Sequence, residues 1–217
     1  MPIIFITLNN VYIDLIKAKG YNAYLMKIQD YKPRKDVRTY YISPANSLCF
    51  MDGGIDYALS RIIFPNIEKT VKEILLNLGI KNLVGKPYLP IGSSIIIDCN
   101  NKSLVLSPTM LLPQNVANTQ NAYYATMAIL YNILINRGEN IDNVDIIFTS
   151  LCCGYGKMDE HNSMQQTLNG IRDYNNYKPI IINKNIIINE PNLLEQPKYY
   201  QNTEWFSINP ADIKTII

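Results

Sequence analysis

The chain has 217 residues, of which 47% are hydrophobic and 18% charged, and its formal net charge is +2. Apolar side chains in this proportion exclude a disordered chain and supply enough core for one α/β domain with appendages. The Lys and Arg residues are scattered, and no apolar run approaches the roughly 20 residues that span a bilayer, so we expect no nucleic-acid or membrane partner. The start of the chain lacks the pattern of a signal peptide, which favours an intracellular, cytoplasmic protein.

The first part of the chain alternates apolar strands with helices. Apolar, β-rich runs predict strands at residues 2–8, 23–28 and 37–42. Capping residues and the 3.6-residue spacing of apolar side chains predict helices from Asn9 or Asn10 to Gly20, from Gly54 onward, and over residues 67–78. Strands separated by helices in this way are typical of an α/β fold.

The second part continues the alternation and then changes character. It predicts strands at residues 90–98, 103–106 and 144–148 and helices over residues 118–136 and 159–174. Because the strands lack period-two alternation, both sheet faces should be covered, which predicts a three-layer α/β/α sandwich. We expect one domain over residues 1–177 and a C-terminal extension, residues 178–217, that packs on it or trails from it. A hairpin between residues 180–182 and 186–188 is expected in that extension.

The cysteines and the histidine favour no metal site. Cys152 and Cys153 are adjacent, Cys49 and Cys99 lie far from them, and His161 is the only histidine. This spacing lacks the pairs typical of zinc ligands, so we expect free thiols, no metal and no cofactor. Without an evident His or Lys to lower a thiol pKa, Cys152 and Cys153 are interpreted as small buried residues, and His161 as part of a polar helix face.

Two loops have the composition of a ligand site. Residues 50–56 place paired glycines directly before a helix, and residues 154–156, Gly-Tyr-Gly, follow the strand that ends near Phe148. Glycines let the backbone approach a phosphate or ribose, so two such loops could clamp a diphosphate from both sides. The sequence has neither the GxxxxGK[ST] of a P-loop nor a GxGxxG after the first strand, which excludes those two nucleotide sites.

Four segments together resemble a known family. SPANS at residues 43–47 and MDGGID at residues 51–56 are similar to the macrodomain signature, in which a strand ends in Ala-Asn and a Gly-rich loop leads into a helix. The segments around Ser107-Pro108-Thr109 and Gly154-Tyr155-Gly156 fit the same branch of macrodomain-like proteins, in the same order. The resemblance spans roughly residues 5–174 and implies a mixed central sheet and a cleft for ADP-ribose or an ADP-ribosylated substrate.

The resemblance also implies a set of site residues. Asn46 and Asp56 would orient a catalytic water, and Tyr155 would cover the ribose. Asp30, at the end of a strand, would accept a hydrogen bond from the adenine amino group. The implied ligand-binding set is Asp30, Tyr31, Ala45, Asn46, Met51, Asp52, Gly53, Gly54, Ile55, Thr109, Ser150, Leu151, Cys152, Cys153, Gly154, Tyr155 and Gly156.

Each of these residues also has a purely structural interpretation. Asp30 could cap a turn, Asn46 could be a turn residue, Asp56 could complement the helix macrodipole, and Tyr155 could be surface packing. The chain also departs from the family pattern. Ser43 stands where many hydrolytic macrodomains have Asn, Asp52 stands at a position often given to Gly, and Ser150 and Cys152 stand where Gly is expected.

Three functional hypotheses follow from the same residues. The first is an enzyme that hydrolyses ADP-ribose from modified proteins or small molecules. The second is a non-catalytic reader that binds or sequesters ADP-ribose or a related NAD-derived nucleotide. The third is a structural protein whose cleft has drifted. Hydrolysis needs positioning of a water and no covalent nucleophile, so enzyme and reader share the same contacts.

Overall fold

The computed structural model describes residues 3–82 and 85–176 and the two short strands Ile180–Ile182 and Asn185–Ile187. By internal contacts the chain divides into Met1–Asn176 and Tyr177–Ile217. In the second unit the two short strands pair antiparallel, which confirms the expected hairpin with its second strand one residue earlier. The rest of the predicted extension lies outside the described residues. No helix in the described part of the chain is long and apolar enough to cross a membrane.

The first unit is built on a mixed six-stranded sheet with the strand order β2-β1-β6-β3-β5-β4. Five neighbouring strands are parallel, and β4 pairs antiparallel with β5 at one edge. A turn with Asn100 in the left-handed conformation, φ 57°, joins that antiparallel pair. The strands are β1 Ile3–Thr7, β2 Asn22–Leu25, β3 Arg38–Ser43, β4 Ile95–Cys99, β5 Lys102–Leu106 and β6 Val144–Phe148.

The helices begin and end at residues with a physical reason to be there. The side chain of Asn9 accepts a hydrogen bond from the backbone N–H of Tyr12 and so caps the first helix. Gly79 ends the third helix in the left-handed conformation, φ 71°. The helices are α1 Asn10–Lys17, α2 Gly54–Ala58, α3 Ile67–Leu78, α4 Asn121–Leu130 and α5 Glu160–Asn176, with π-helical turns at Leu59–Ile63 and Tyr131–Asn136 that extend α2 and α4.

Alternate residues of the strands feed two separate cores. In β1, Ile3 and Phe5 pack with α1, α4 and α5, whereas Ile4 and Ile6 pack on the other face with the segment from Leu59 through α3. Both faces of the sheet are therefore covered by helices, which explains why β1 is apolar on both of its faces. The predicted α/β/α sandwich with a mixed sheet is confirmed.

Charged side chains tie together the edge where most parallel strands begin. Arg34 forms an ion pair of 2.8 Å with the buried Asp145 of β6. Asp98 of β4 pairs with Arg38 and Arg137 at 2.9 and 2.8 Å. These contacts close the amino edge of the sheet, opposite the carboxyl edge at which the parallel strands end.

Two predicted strands are shorter than the sequence indicated. The run 23–28 leaves the ladder after Leu25, because β2 is an edge strand, and continues as a 3-10 turn over Ile28–Asp30. The run 90–98 begins its strand only at Ile95, because Gly92, φ 83°, turns the chain first. The prediction that Asp30 lies at a strand end was therefore wrong.

Candidate functional site

A cleft of about 600 Å³ opens at the carboxyl edge of the sheet. All five parallel strands contribute to its wall through the residues at or just after their ends. These residues are Thr7 at the end of β1 and Leu8 after it, Met26 to Gln29 after β2, Pro44 and Asn46 after β3, Thr109 and Met110 after β5, and Thr149 and Ser150 after β6. Open α/β sheets bind ligands at this edge, and the volume lies in the range of small-molecule pockets.

Asn46 organises the early loop, residues 44–53, which joins β3 to α2. Its Oδ1 accepts a hydrogen bond from the backbone N–H of Leu48 at 3.0 Å and a longer one from Phe50 at 3.5 Å. Its Nδ2 donates to no described residue. The side chain lines the cleft although only 8% of the residue is exposed. Asn46 thus fixes the loop with its carbonyl and leaves two N–H donors for a ligand.

Thr109 clamps the start of the early loop from the neighbouring strand. Its hydroxyl donates to the carbonyl of Pro44 at 2.9 Å, and its backbone N–H donates to the carbonyl of Ala45 at 3.0 Å. A further parallel bridge joins Asn46 to Met110. These bonds continue the β3–β5 ladder beyond the strand ends, so the position of Asn46 is set by the sheet.

Asp56 is the acidic side chain of the cleft whose pKa is raised. The buried hydroxyl of Ser43, the last residue of β3, donates to Asp56 Oδ1 at 2.7 Å. Burial raises the pKa of Asp56 to about 7, the negative charge of Asp52 adds to the rise, and the Ser43 hydrogen bond opposes it. Asp56 is partly buried and lines the cleft. A carboxyl group with this pKa can exchange a proton near neutral pH.

The late loop, residues 149–159, joins β6 to α5 and is shaped by its backbone. Cys152 takes the left-handed conformation, φ 64°, at a position where the family resemblance predicts glycine. At Gly156 an added Cβ would overlap the carbonyl oxygen of Cys152 and lie 2.8 Å from Val116 Cγ2. The carbonyl of Gly156 also accepts the backbone N–H of Val116 at 2.8 Å. Only glycine fits at position 156.

The two loops meet across the cleft. A Cβ added to Gly53 would lie 3.9 Å from Cε2 of Tyr155. Tyr155 is 74% exposed and both residues line the cleft. The early and late loops, far apart in sequence, therefore form facing walls of one site.

The predicted site residues divide into two groups. The structure brings together along the cleft wall Asn46, Asp52, Gly53, Gly54, Ile55, Asp56, Thr109, Ser150, Cys152, Gly154, Tyr155 and Gly156. It places outside the wall the residues Asp30, Tyr31, Ala45, Met51, Leu151 and Cys153. Ala45, Met51 and Leu151 are fully buried behind the loops, and Asp30 is exposed next to the cleft residue Gln29.

Sequence reasoning missed part of the wall. The hydroxyls of Thr7 and Ser150 form a hydrogen bond of 3.0 Å across the ends of β1 and β6, and Thr149 beside them is buried with its Oγ1 unpartnered. Lys27 and Phe50 also line the cleft. These residues could have been found from their positions in the sequence, because each ends or follows a parallel strand or lies near the glycine pair Gly53-Gly54.

The thiols and the histidine do not add a nucleophile to the site. Burial raises the pKa of Cys152 to about 12 and that of Cys153 to about 11, so both remain protonated near neutral pH. His161 is exposed on α5 and does not line the cleft. Within the described part of the chain, no three His, Cys, Asp or Glu side chains gather where a metal ion could be held.

Comparison with known proteins bears on the fold. No protein-family model and no curated protein sequence matches the chain. Solved structures do: an Oceanobacillus iheyensis macrodomain, a glycine-to-valine mutant with ADPR, aligns with a TM-score of 0.51 and 16% identity over 68% of this chain and 74% of that chain. The chain has a macrodomain-like fold. The same macrodomain with MES bound aligns with a TM-score of 0.51 and 16% identity over 69% of this chain and 73% of its own.

An asparagine-to-alanine mutant of that macrodomain gives a TM-score of 0.50 with 18% identity, and the alignment covers 69% of this chain and 70% of the mutant's. Identities this low establish the macrodomain-like fold alone.

Proposed function

We propose that the cleft binds ADP-ribose or a closely related NAD-derived nucleotide. The observation that supports this most directly is the meeting of the early and late loops over a cleft of about 600 Å³, at the carboxyl edge of a macrodomain-like sheet. One solved macrodomain of similar fold is a mutant with ADPR. Glycines at positions 53, 54, 154 and 156 let backbone N–H groups approach a diphosphate closely.

The contacts suggest one orientation of the ligand. The two N–H donors of Asn46 Nδ2 suit the hydroxyls of the distal ribose, and Gly53 with the neighbouring Tyr155 ring would line that end of the cleft. The diphosphate would run along the late loop. The adenine would then reach the turn after β2, where Gln29 lines the wall and Asp30 follows it. In this proposal Asp30 reaches the adenine amino group only if its side chain turns toward the cleft.

We further propose that the site hydrolyses the bond between the distal ribose and the group attached to it. A water would attack the anomeric carbon, the bond to the leaving group would break with its electron pair, and Asp56 would accept the proton of the water. The pKa of Asp56 near 7 suits this base role. A non-catalytic reader would use the same binding contacts and would not need Asp56.

Calorimetric titration with ADP-ribose, NAD and AMP tests the binding proposal. Wild-type protein should bind ADP-ribose with micromolar affinity, and Asp30→Ala should weaken binding of all three ligands if the carboxylate reads adenine. Asp14→Ala, which removes an exposed aspartate of α1 away from the cleft, is the matched control. Absence of ADP-ribose binding at millimolar concentration would refute the proposal.

Turnover separates the enzyme from the reader. Incubation with a protein that is ADP-ribosylated on a carboxylate should release free ADP-ribose, measured by chromatography. Release should be lost in Asp56→Ala and in Asn46→Ala. Tight binding of ADP-ribose without any release by the wild type would instead identify a reader.

A further inference from the structure

The hydroxyl of Ser43 has one described partner, the carboxylate of Asp56. Ser43 ends β3 and is 0% exposed, so its hydroxyl has no access to bulk water. It donates to Asp56 Oδ1 at 2.7 Å, and Oδ2 of the same carboxylate has no hydrogen-bond partner among the described residues. One oxygen of Asp56 is thus tied to the sheet while the other remains available at the cleft.

The position of Ser43 is itself rigid. Its carbonyl accepts the backbone N–H of Ser107 at 3.0 Å, and its register partner in the parallel ladder is Leu106 of β5. Asp56, by contrast, lies in the first turn of α2, which begins at the exposed Gly54 and continues into the π-helical turn Leu59–Ile63. The hydrogen bond therefore joins the first turn of a helix to a residue held in the sheet, and the sheet residue orients the carboxylate.

We propose that Ser43 is the positioning residue of Asp56: its hydroxyl selects the rotamer and the ionised form in which Oδ2 can accept a proton from a cleft water. This inference rests on the proposed hydrolytic function. Donation from a buried hydroxyl stabilises the carboxylate over the neutral acid, so it counteracts the burial that raises the pKa of Asp56. Asn, the residue that the family resemblance predicts at this position, would offer an amide donor instead.

Few other groups near Asp56 influence its charge. Asp52, in the early loop, raises its pKa, and the thiol of Cys49 is close enough that Asp56 in turn raises the pKa of Cys49. The 3-10 turn Ile28–Asp30 packs on α2, and beside it Lys27 lines the cleft while Asp30 is exposed. None of these charged groups has a hydrogen bond to Asp56, so the neutral Ser43 is its only described hydrogen-bond donor.

The decisive experiment is a carboxyl ¹³C NMR titration of Asp56 in the wild type, in Ser43→Ala and in Ser43→Thr. Ser43→Ala should shift the titration upward by about one pH unit, a tenfold change in the proton equilibrium, and Ser43→Thr should restore it. Thermal unfolding checks that each variant is folded. An Asp56 titration that is identical in the wild type and in folded Ser43→Ala would overturn the proposal.

Kinetics then show whether the positioning matters for turnover. Ser43→Ala should lower kcat at pH 7 about tenfold, move the acidic limb of the pH–rate profile upward, and leave the affinity for ADP-ribose unchanged. In an Asp56→Asn background, Ser43→Ala should lower the residual kcat no further, because the effect of Ser43 on turnover passes through the Asp56 carboxylate. An equal loss in both backgrounds would contradict the proposal. If the wild type shows no turnover, hydrolysis fails as a function, while the NMR titration still decides the role of Ser43.

Discussion

The early and late loops face each other across one cleft but are built on different principles. In the early loop the carbonyl of the Asn46 side chain fixes the backbone, and Asp56 just beyond it titrates near neutral pH. In the late loop the close packing of the backbone fixes the conformation, because Gly156 lies against Cys152 and Val116. The thiol of Cys152 stays protonated near neutral pH. The early loop therefore contributes polar and titrating side chains, whereas the late loop sets the shape of the cleft wall. Substitutions in the two loops should differ in their effects on stability and on binding.

The largest effect is expected at Gly156 of the late loop. Gly156→Ala should lower the free energy of unfolding by about 3 kcal/mol, because the new Cβ overlaps backbone that cannot yield. Urea denaturation measures this, and calorimetry should show ADP-ribose binding lost as well. The control is Gly154→Ala, where an added Cβ meets nothing within 4 Å. Equal stability of both variants would show that the late loop is not shaped by close approach.

A smaller loss is expected at Asn46 of the early loop. Asn46→Ala removes the acceptor for the N–H of Leu48 and should cost about 1 kcal/mol of stability. It also removes the Nδ2 donor, so ADP-ribose affinity should fall about tenfold or more. Asn46→Asp keeps the acceptor oxygen, so it should restore the wild-type stability but not the affinity for ADP-ribose. Full recovery of binding in Asn46→Asp would exclude Nδ2 as a ligand donor.

Asp56 should show an effect of opposite sign on stability. Its pKa is about 7 in the folded chain against an ordinary value of 3.8, so the folded state binds the proton more tightly. The stability associated with this group is complete below about pH 4 and is lost as the pH rises through about 7. Asp56→Asn should therefore raise the free energy of unfolding by about 1 to 2 kcal/mol at pH 8.

At pH 4 the same variant should match the wild type, because the wild-type carboxyl group is then already neutral in the folded state. Urea denaturation at both pH values makes the comparison. A variant that is less stable than the wild type at pH 8 would show that the carboxylate is favourably paired, contrary to the raised pKa.

The smallest effect is expected at Tyr155, where the late loop reaches over Gly53. The ring is mostly exposed, so Tyr155→Ala should leave the unfolding midpoint unchanged and weaken ADP-ribose binding about threefold through lost ring contact. Tyr155→Phe retains the ring and should bind as the wild type does. A large loss in Tyr155→Phe would instead assign the contact to the hydroxyl group.

Local signals were sufficient for most of the fold. The Asn9 cap, the end of α3 at Leu78 and the apolar runs of β1, β3, β5 and β6 depend on neighbours in sequence, and each lies where it was predicted or within about one residue of it. The failures were at β2 and β4, edge strands with one neighbour each. An edge strand leaves the ladder wherever a turn competes, and residue type alone does not show where that happens.

The candidate site likewise has features that the local sequence predicted and features that it did not. Residue types were enough to single out residues 50–56, because paired glycines before a helix are a local property, and the family resemblance added Asn46. The contact of Ser43 with Asp56, the crowding of Gly156 by Val116 and the Thr7–Ser150 hydrogen bond were decided only by the tertiary structure. Each joins elements whose spacing depends on strand order in the sheet, and pairing between distant strands is not encoded in any local segment.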